Sequence, residues 1–172
     1  LPESVKFYNN GTKKIKAYYY KFGFESDILT KISINNFKYD CAFIGTIHLF
    51  NNGHVTRLKN IASILRKIPM NLWVSNLNKK FPIISKDQIK RLLSFKFNEY
   101  FDLLQVSRPN NGSVYGLKMY EILANSKIIF NNHIDVAGSY AANMRLFEAT
   151  GSGSCLVTDW KKNISDFFEP DK

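Results

Sequence analysis

The chain has 172 residues, of which 45% are hydrophobic and 15% aromatic, enough apolar material for one packed domain and too much for a disordered chain. Its formal net charge of +10, from 24 Lys and Arg against 14 Asp and Glu, favours an anionic partner: a phosphorylated ligand, an acidic membrane surface or nucleic acid. No apolar run approaches the ~20 residues of a membrane-spanning helix, and the opening LPESVKFYNNGTKK lacks the apolar core of a secretion signal.

Residues 1–39 are the least regular part, although KAYYYKFGF (16–24) mixes rings with basic groups and ESDILTKI (25–32) could form a short helix. From residue 40 the pattern sharpens. DCAFIGT (40–46) is a compact apolar run ending in a turn, which predicts a buried strand. HVTRLKNIASILRKI (54–68) places Val55, Leu58, Ile61, Ala62 and Leu65 at helical spacing. NLWVSN (71–76) reads as a second strand, KDQIKRLLSFKFNEYFDLL (86–104) as a helix at least in its first half, and LQVSRP (104–109) as a strand. VYGLKMYEILANS (114–126) is helical and KIIFN (127–131) a strand, followed by a loop or irregular helix start at NNHIDVAGSYAA. NMRLFEAT (143–150) predicts a helix capped by Gly151, SCLVT (154–158) a strand, and NISDFF (163–168) a helix start. Strands alternating with helices, each strand short and apolar on both faces, predict an α/β, Rossmann-like doubly wound parallel sheet; an α+β arrangement is the alternative. Cys41 and Cys155 both lie in apolar runs and read as reduced core thiols of a cytoplasmic protein, with peripheral contact at the inner membrane face as a further expectation.

In such sheets ligands bind outside the carboxyl ends of the strands. That rule selects the loops at Gly45–His48, Asn131–Asn143 and Thr158–Lys161. GxGxxG, GxxxxGK[ST] and GxSxG are all missing from the sequence, and GSGSC (151–155) precedes its strand, so its serines read as turn residues. His48, His54 and His133 have no metal-ligand spacing with the two cysteines, so no metal or cofactor is expected. His48 and His54 read as surface-loop residues, whereas His133 follows a buried strand, where a polar group faces a ligand.

The segment NMRLFEATGSGSCLVTD (143–159) is the most specific signal. Asn143 or Ser139 could cap the helix, and either start leaves N–H groups for a phosphate. Arg145 and Glu148, three apart, share a helical face. Such a pair is ordinarily a surface ion pair, but a carboxylate is also the usual grip on the paired hydroxyls of a ribose.

This segment resembles the R-x-F-E-A-x-x-x-G-x-x-(apolar)-(apolar)-T stretch of the group 1 glycosyltransferases of GT-B fold, closest to the spore-maturation-type subgroup. Phe43 and Gly45, Arg57, then Gly116, Tyr120, Leu123 and Ser126, then KIIFN, His133 and Asp135 agree in order, so the similarity spans roughly residues 40–172. The resemblance implies a nucleotide-sugar-binding domain over 40–172, incomplete at its C-terminus, with residues 1–39 as the interdomain segment leading into it. It implies a nucleoside diphosphate sugar as donor and a glycan, lipid-linked glycan or protein as acceptor. Sugar transfer would occur in the full-length enzyme, and a fragment without the acceptor-binding half would be inactive alone. By the resemblance Glu148 binds the ribose, and Asn143, Met144 and Arg145 approach the diphosphate. Gly45 and Thr46 lie under the donor, Thr158 and Asp159 end near it, and Arg57 and Lys118 are candidate partners of the diphosphate. The glutamate that many of these enzymes carry eight residues before the ribose-binding one is Tyr140 here, so His133 or Asp135, with Arg145, are the candidate catalytic groups. The alternative is a non-catalytic basic module for nucleic acid or acidic membrane, supported by KAYYYKFGF; within the enzyme reading nucleic acid is not an expected partner.

Overall fold

The apolar run at 40–46 becomes β1 (Tyr39–Thr46), and its alternation explains the whole architecture. Cys41 and Phe43 point to one side of the sheet, while Ala42 and Ile44 point to the other, and all four are buried. A strand buried on both faces needs a layer of helices on each. In the computed structural model, which describes residues 2–11, 16–18, 20–47, 54–75, 77 and 97–169, both layers are present. The expected helical stretch at 86–96 and the His48 loop position lie outside these residues.

The other strands are β2 (Asn71–Ser75), β3 (Ser126–Asn131) and β4 (Cys155–Thr158), and the helices are α1 (Pro2–Gly11), α2 (Val55–Leu65), α3 (Phe97–Ser107), α4 (Gly116–Ala124) and α5 (Arg145–Gly151). The sheet order is β2-β1-β3-β4, with every pairing parallel. One layer packs Leu58, Ile61 and Ala62 of α2 and Val106 of α3 on Phe43, Leu72 and Val74. The other packs Ile122 and Leu123 of α4 and Ala149 of α5 on Ala42, Ile44 and Ile129. This is the expected doubly wound α/β sheet. The chain leaves β1 towards β2 on one side and returns to β3 on the other, so the strand order reverses between β1 and β3. That is the topological switch point, where a crevice opens in such folds.

Several expectations need correction. LQVSRP is not a strand: Leu104–Ser107 complete α3, because Leu103 and Val106, three apart, form a helical face against the core that α2 shares. Cys155 is exposed, since among the described residues β4 is an edge strand and no helix covers its Cys155 and Val157 face; Cys41 is a buried free thiol whose pKa burial pushes up. His54 is buried, with Nδ1 3.1 Å from the Thr46 carbonyl, and does not sit on the surface.

Gly151 is the last residue of α5, Ser152 is its C-cap, and the left-handed residue that follows is Gly153, at φ +84°. Its N–H bonds the Thr150 carbonyl and that of Ser154 bonds Ala149, the paired 5→2 and 6→1 pattern of a left-handed helix end. Gly151 is small for another reason: a Cβ there would overlap the Phe24 ring, which the N-terminal segment lays across α5.

Buried asparagines close the gaps that regular structure leaves. Asn110, fully buried, accepts from the N–H groups of Val74 and Gly112 and donates to the Val74 and Leu77 carbonyls, extending the edge at β2. Asn125 holds the segment before β1 by accepting from Asn35 N–H and donating to the Ser33 carbonyl.

Candidate functional site

A cleft of about 620 Å³ opens at the switch point, outside the carboxyl ends of β1 and β3. Its walls include Gly45 and Thr46 from β1, Arg57 from α2, Asn131 and His133 from the end of β3, and Asn143, Met144 and Arg145 from the start of α5. The strand registers explain the convergence. Thr46 lies opposite Ser75 and Asn131 opposite Thr158, so the strands of each pair finish together, and the β1–β3 register carries the chain past Asn131 alongside the end of β1.

Arg57 clips the strand ends together. Its Nη1 donates to the Thr46 carbonyl at 2.9 Å, and its Nε, also at 2.9 Å, and Nη2 both donate to the Asn132 carbonyl. Burial pushes its pKa down, against the opposing pull of the Asp159 and Asp135 charges. A polar chain crosses the floor from β4 to α5. Asn131 Nδ2 donates to Thr158 Oγ1 (2.9 Å), Asn143 Nδ2 to Asn131 Oδ1 (2.8 Å), and the Arg145 N–H to Asn143 Oδ1 (2.8 Å). Asn143 is therefore the residue that caps α5. The same bond consumes one N–H expected to be free for a phosphate, and the N–H groups of Leu146, Phe147 and Glu148 are bonded within the turn.

Asp159, just beyond β4, reaches under the cleft. Its Oδ1 accepts from both the backbone N–H and the Nδ1 of His133, each at 2.8 Å. Burial alone raises the Asp159 pKa, but the His133 hydrogen bonds and charge outweigh it and hold the carboxyl well below the usual carboxylate range. The His133 ring is 1% exposed, and its Nε2 has no partner. On α5 Arg145 Nη1 meets Glu148 Oε2 at 2.9 Å, both terminal nitrogens contact Met119 Sδ at 3.2 Å, and Glu148 Oε1 accepts from Tyr120 Oη at 3.1 Å. Burial lowers the Arg145 pKa, with Glu148 opposing. Arg145 Nε has no partner. Among the described residues His133 Nε2, Arg145 Nε and Ser152 Oγ are the buried side-chain polar atoms so left.

The structure thus gathers Gly45, Thr46, Arg57, His133, Asn143, Met144 and Arg145 around one cleft. Thr158, Asp159 and Glu148 lie one layer behind, acting on the wall through Asn131, His133 and Arg145 respectively. Asp135 turns away: its Oδ2 accepts from Thr56 N–H (3.2 Å) at the start of α2. Lys118 is exposed and paired with Glu121 at 2.8 Å, away from the cleft wall. The sequence reading selected the loop that begins at Asn131 but gave Asn131 and Asn132 no role of their own; their position at the end of an apolar strand was the available signal. KAYYYKFGF packs in part on α5, with Phe22 6.5 Å from Phe147 and Lys21 over the Phe167 ring at 5.6 Å. Among the described residues, no three His, Cys, Asp or Glu side chains group as metal ligands, and no helix is long and apolar enough to cross a membrane.

A doubly wound parallel sheet with a cleft bearing Arg57 and Arg145 at its switch point defines a Rossmann-like α/β domain. The particular family follows from the sequence within that fold: a family model described as glycosyl transferase-like matches residues 57–172, and the chain belongs to that family, whose role is glycosyl transfer. No curated protein and no solved structure matches the chain.

Proposed function

We propose that this chain is the donor-binding half of a GT-B glycosyltransferase of the spore-maturation type, holding a nucleoside diphosphate sugar in the switch-point cleft. Residues 40–172 form the nucleotide-sugar domain and 1–39 the segment leading into it. The observation that carries this reading is the pair of orphaned buried nitrogens, His133 Nε2 and Arg145 Nε, on residues that line one cleft within the family-matched region. Buried polar atoms are rarely left unpaired, and a ligand rich in acceptor oxygens, such as a diphosphate, completes Arg145 Nε directly and His133 Nε2 once that ring is protonated. In this reading Glu148, behind Arg145, exchanges its Tyr120 bond for a ribose hydroxyl. The cleft's fixed cations then stabilise charge developing on the leaving diphosphate as the sugar moves to an acceptor hydroxyl held outside this domain. The acceptor is a glycan, a lipid-linked glycan or a protein, and the work is done in the cytoplasm, with peripheral contact at the inner membrane face.

The test is a thermal-shift panel of nucleoside mono- and diphosphates and nucleotide sugars. A ligand at one hundred times its Kd stabilises by about 2.7 kcal/mol, which raises Tm by roughly 5–10 °C for a chain of this size. If no nucleoside diphosphate raises Tm, the donor-site reading is wrong.

A further inference from the structure

We infer that His133 binds the distal phosphate of the nucleoside diphosphate through Nε2 as an imidazolium, and that Asp159 is the positioning residue that makes this state available; the inference rests on the donor-site reading.

Three features of the site lead to it. First, Asp159 Oδ1 takes two hydrogen bonds from one residue, the His133 N–H and Nδ1, so the ring can neither rotate nor flip without losing a charge-assisted contact. Because the carboxylate only accepts, the Nδ1 proton is assigned, and Nε2 is the variable position. Second, that Nε2 is fully buried, in a residue lining the cleft, and has no partner. Third, the other cations of the wall have little left to offer beyond Arg145 Nε. Arg57 spends Nε, Nη1 and Nη2 on the Thr46 and Asn132 carbonyls, and Arg145 is neutralised by Glu148.

The neutral ring offers Nε2 only as an acceptor, and a phosphate oxygen is also an acceptor. A direct contact therefore requires a second proton on the ring, and binding takes that proton up. The charges that bear on it come from every neighbouring element. Asp159 lies after β4 with Lys161 3.4 Å from its other oxygen. Arg57 approaches from α2, Asp135 from the loop that caps α2, and the Arg145–Glu148 pair from α5. Asp159 is the anion in direct contact with the ring, and it alone of these groups offsets the added charge at hydrogen-bond distance.

The experiment measures Kd by calorimetry for uridine and guanosine diphosphates and their monophosphates from about pH 6 to 8, alongside ¹⁵N spectra of the His133 ring. For a diphosphate that binds, Kd should rise towards tenfold per pH unit wherever the free ring is neutral and the bound ring charged, as uptake of one proton requires. The matching monophosphate, lacking the distal group, should show no such slope. The Nε2 resonance should change from lone pair to N–H on adding diphosphate. His133→Asn should weaken diphosphate binding about tenfold at the acid end and flatten the profile. Asp159→Asn, which keeps an acceptor for the ring but not the charge, should keep acid-end affinity and move the profile to lower pH. His133→Gln, checked for an unchanged melting transition, serves if the Asn variant fails to fold. Diphosphate binding that is independent of pH, or indifferent to both His133 variants, overturns this inference while leaving the donor site standing. Absence of any diphosphate binding overturns both.

Discussion

Arg145 and Glu148 share one face of α5 with side chains only 13% and 12% exposed, and their 2.9 Å contact is far from a solvent-screened surface pair. Removing one partner of such a pair leaves the other charge stranded, which costs more than the pair contributes. Glu148→Ala should therefore destabilise the fold by ~2–4 kcal/mol, a fall in Tm of about 5–15 °C, because among the described residues the Arg145 guanidinium then keeps Met119 Sδ as its hydrogen-bond acceptor and has no anion in contact. Tyr120→Phe removes a single neutral donor to the same carboxylate and should cost ~1 kcal/mol. The pair of melting curves checks this, and equal effects would show that Glu148 is held by Tyr120 alone. The i,i+3 spacing was legible in the sequence. The burial was not, because Met119 and Tyr120 come from α4, at a distance that periodicity within α5 cannot express. The same limit hid the roles of Asn131 and Asn132, whose type and abundance were visible but whose partners lie on other strands. Asp135 shows the reverse case, a residue whose loop position was read rightly but whose carboxylate serves the start of α2.

At the level of elements, apolar periodicity placed β1, α2, β2, α4, β3 and α5, which bury stripes with periods of their own, and β4, whose Leu156 packs half-buried on the core. It failed at Leu104–Ser107, where Val106 is β-branched and the local composition suits a strand, yet the face it shares with Leu103 closes a helix. The end of α5 offers a direct test of tertiary packing against local propensity. Gly151→Ala gains up to ~1 kcal/mol in helix propensity, but its methyl meets the Phe24 ring, and overpacking costs ~1–3 kcal/mol. The single substitution should destabilise. The Phe24 Cβ itself would lie 2.7 Å from the new methyl, so a Phe24→Gly background is the one that removes the obstruction, and there Gly151→Ala should become neutral or stabilising. Urea midpoints of the four proteins close the cycle, and strict additivity would show that Phe24 does not rest on α5 in solution.

Across the whole molecule the formal charge of +10 suggested an anionic partner without saying which. Several of the cations are held locally by carboxylates, which leaves that net excess unchanged. Arg66 meets Asp102, Lys118 meets Glu121, Lys127 meets Asp40 and Lys161 meets Asp159, pairs spread over several elements and both ends of the sheet. A diffuse field of this kind draws anions towards the protein but supplies no row of phosphate contacts. The basic-module alternative retains exposed Tyr18 and Tyr20, with Lys16 over the Tyr18 ring at 5.4 Å, so it makes a definite and different demand. A nucleic-acid binder neutralising 6–10 phosphates loses about 10³–10⁵ in affinity between 50 and 200 mM salt. A diphosphate gripped inside a cleft, partly shielded from solvent ions, should lose only about two- to fivefold over that range. Titrating a nucleoside diphosphate and a short single-stranded oligonucleotide in parallel at both salt concentrations separates the two readings. The donor-site reading requires a shallow slope for the diphosphate and weak, salt-labile binding of the oligonucleotide, with no competition between them at 200 mM. Tight oligonucleotide binding that Tyr18→Ala and Tyr20→Ala abolish would instead make the aromatic N-terminal segment the working surface of the protein.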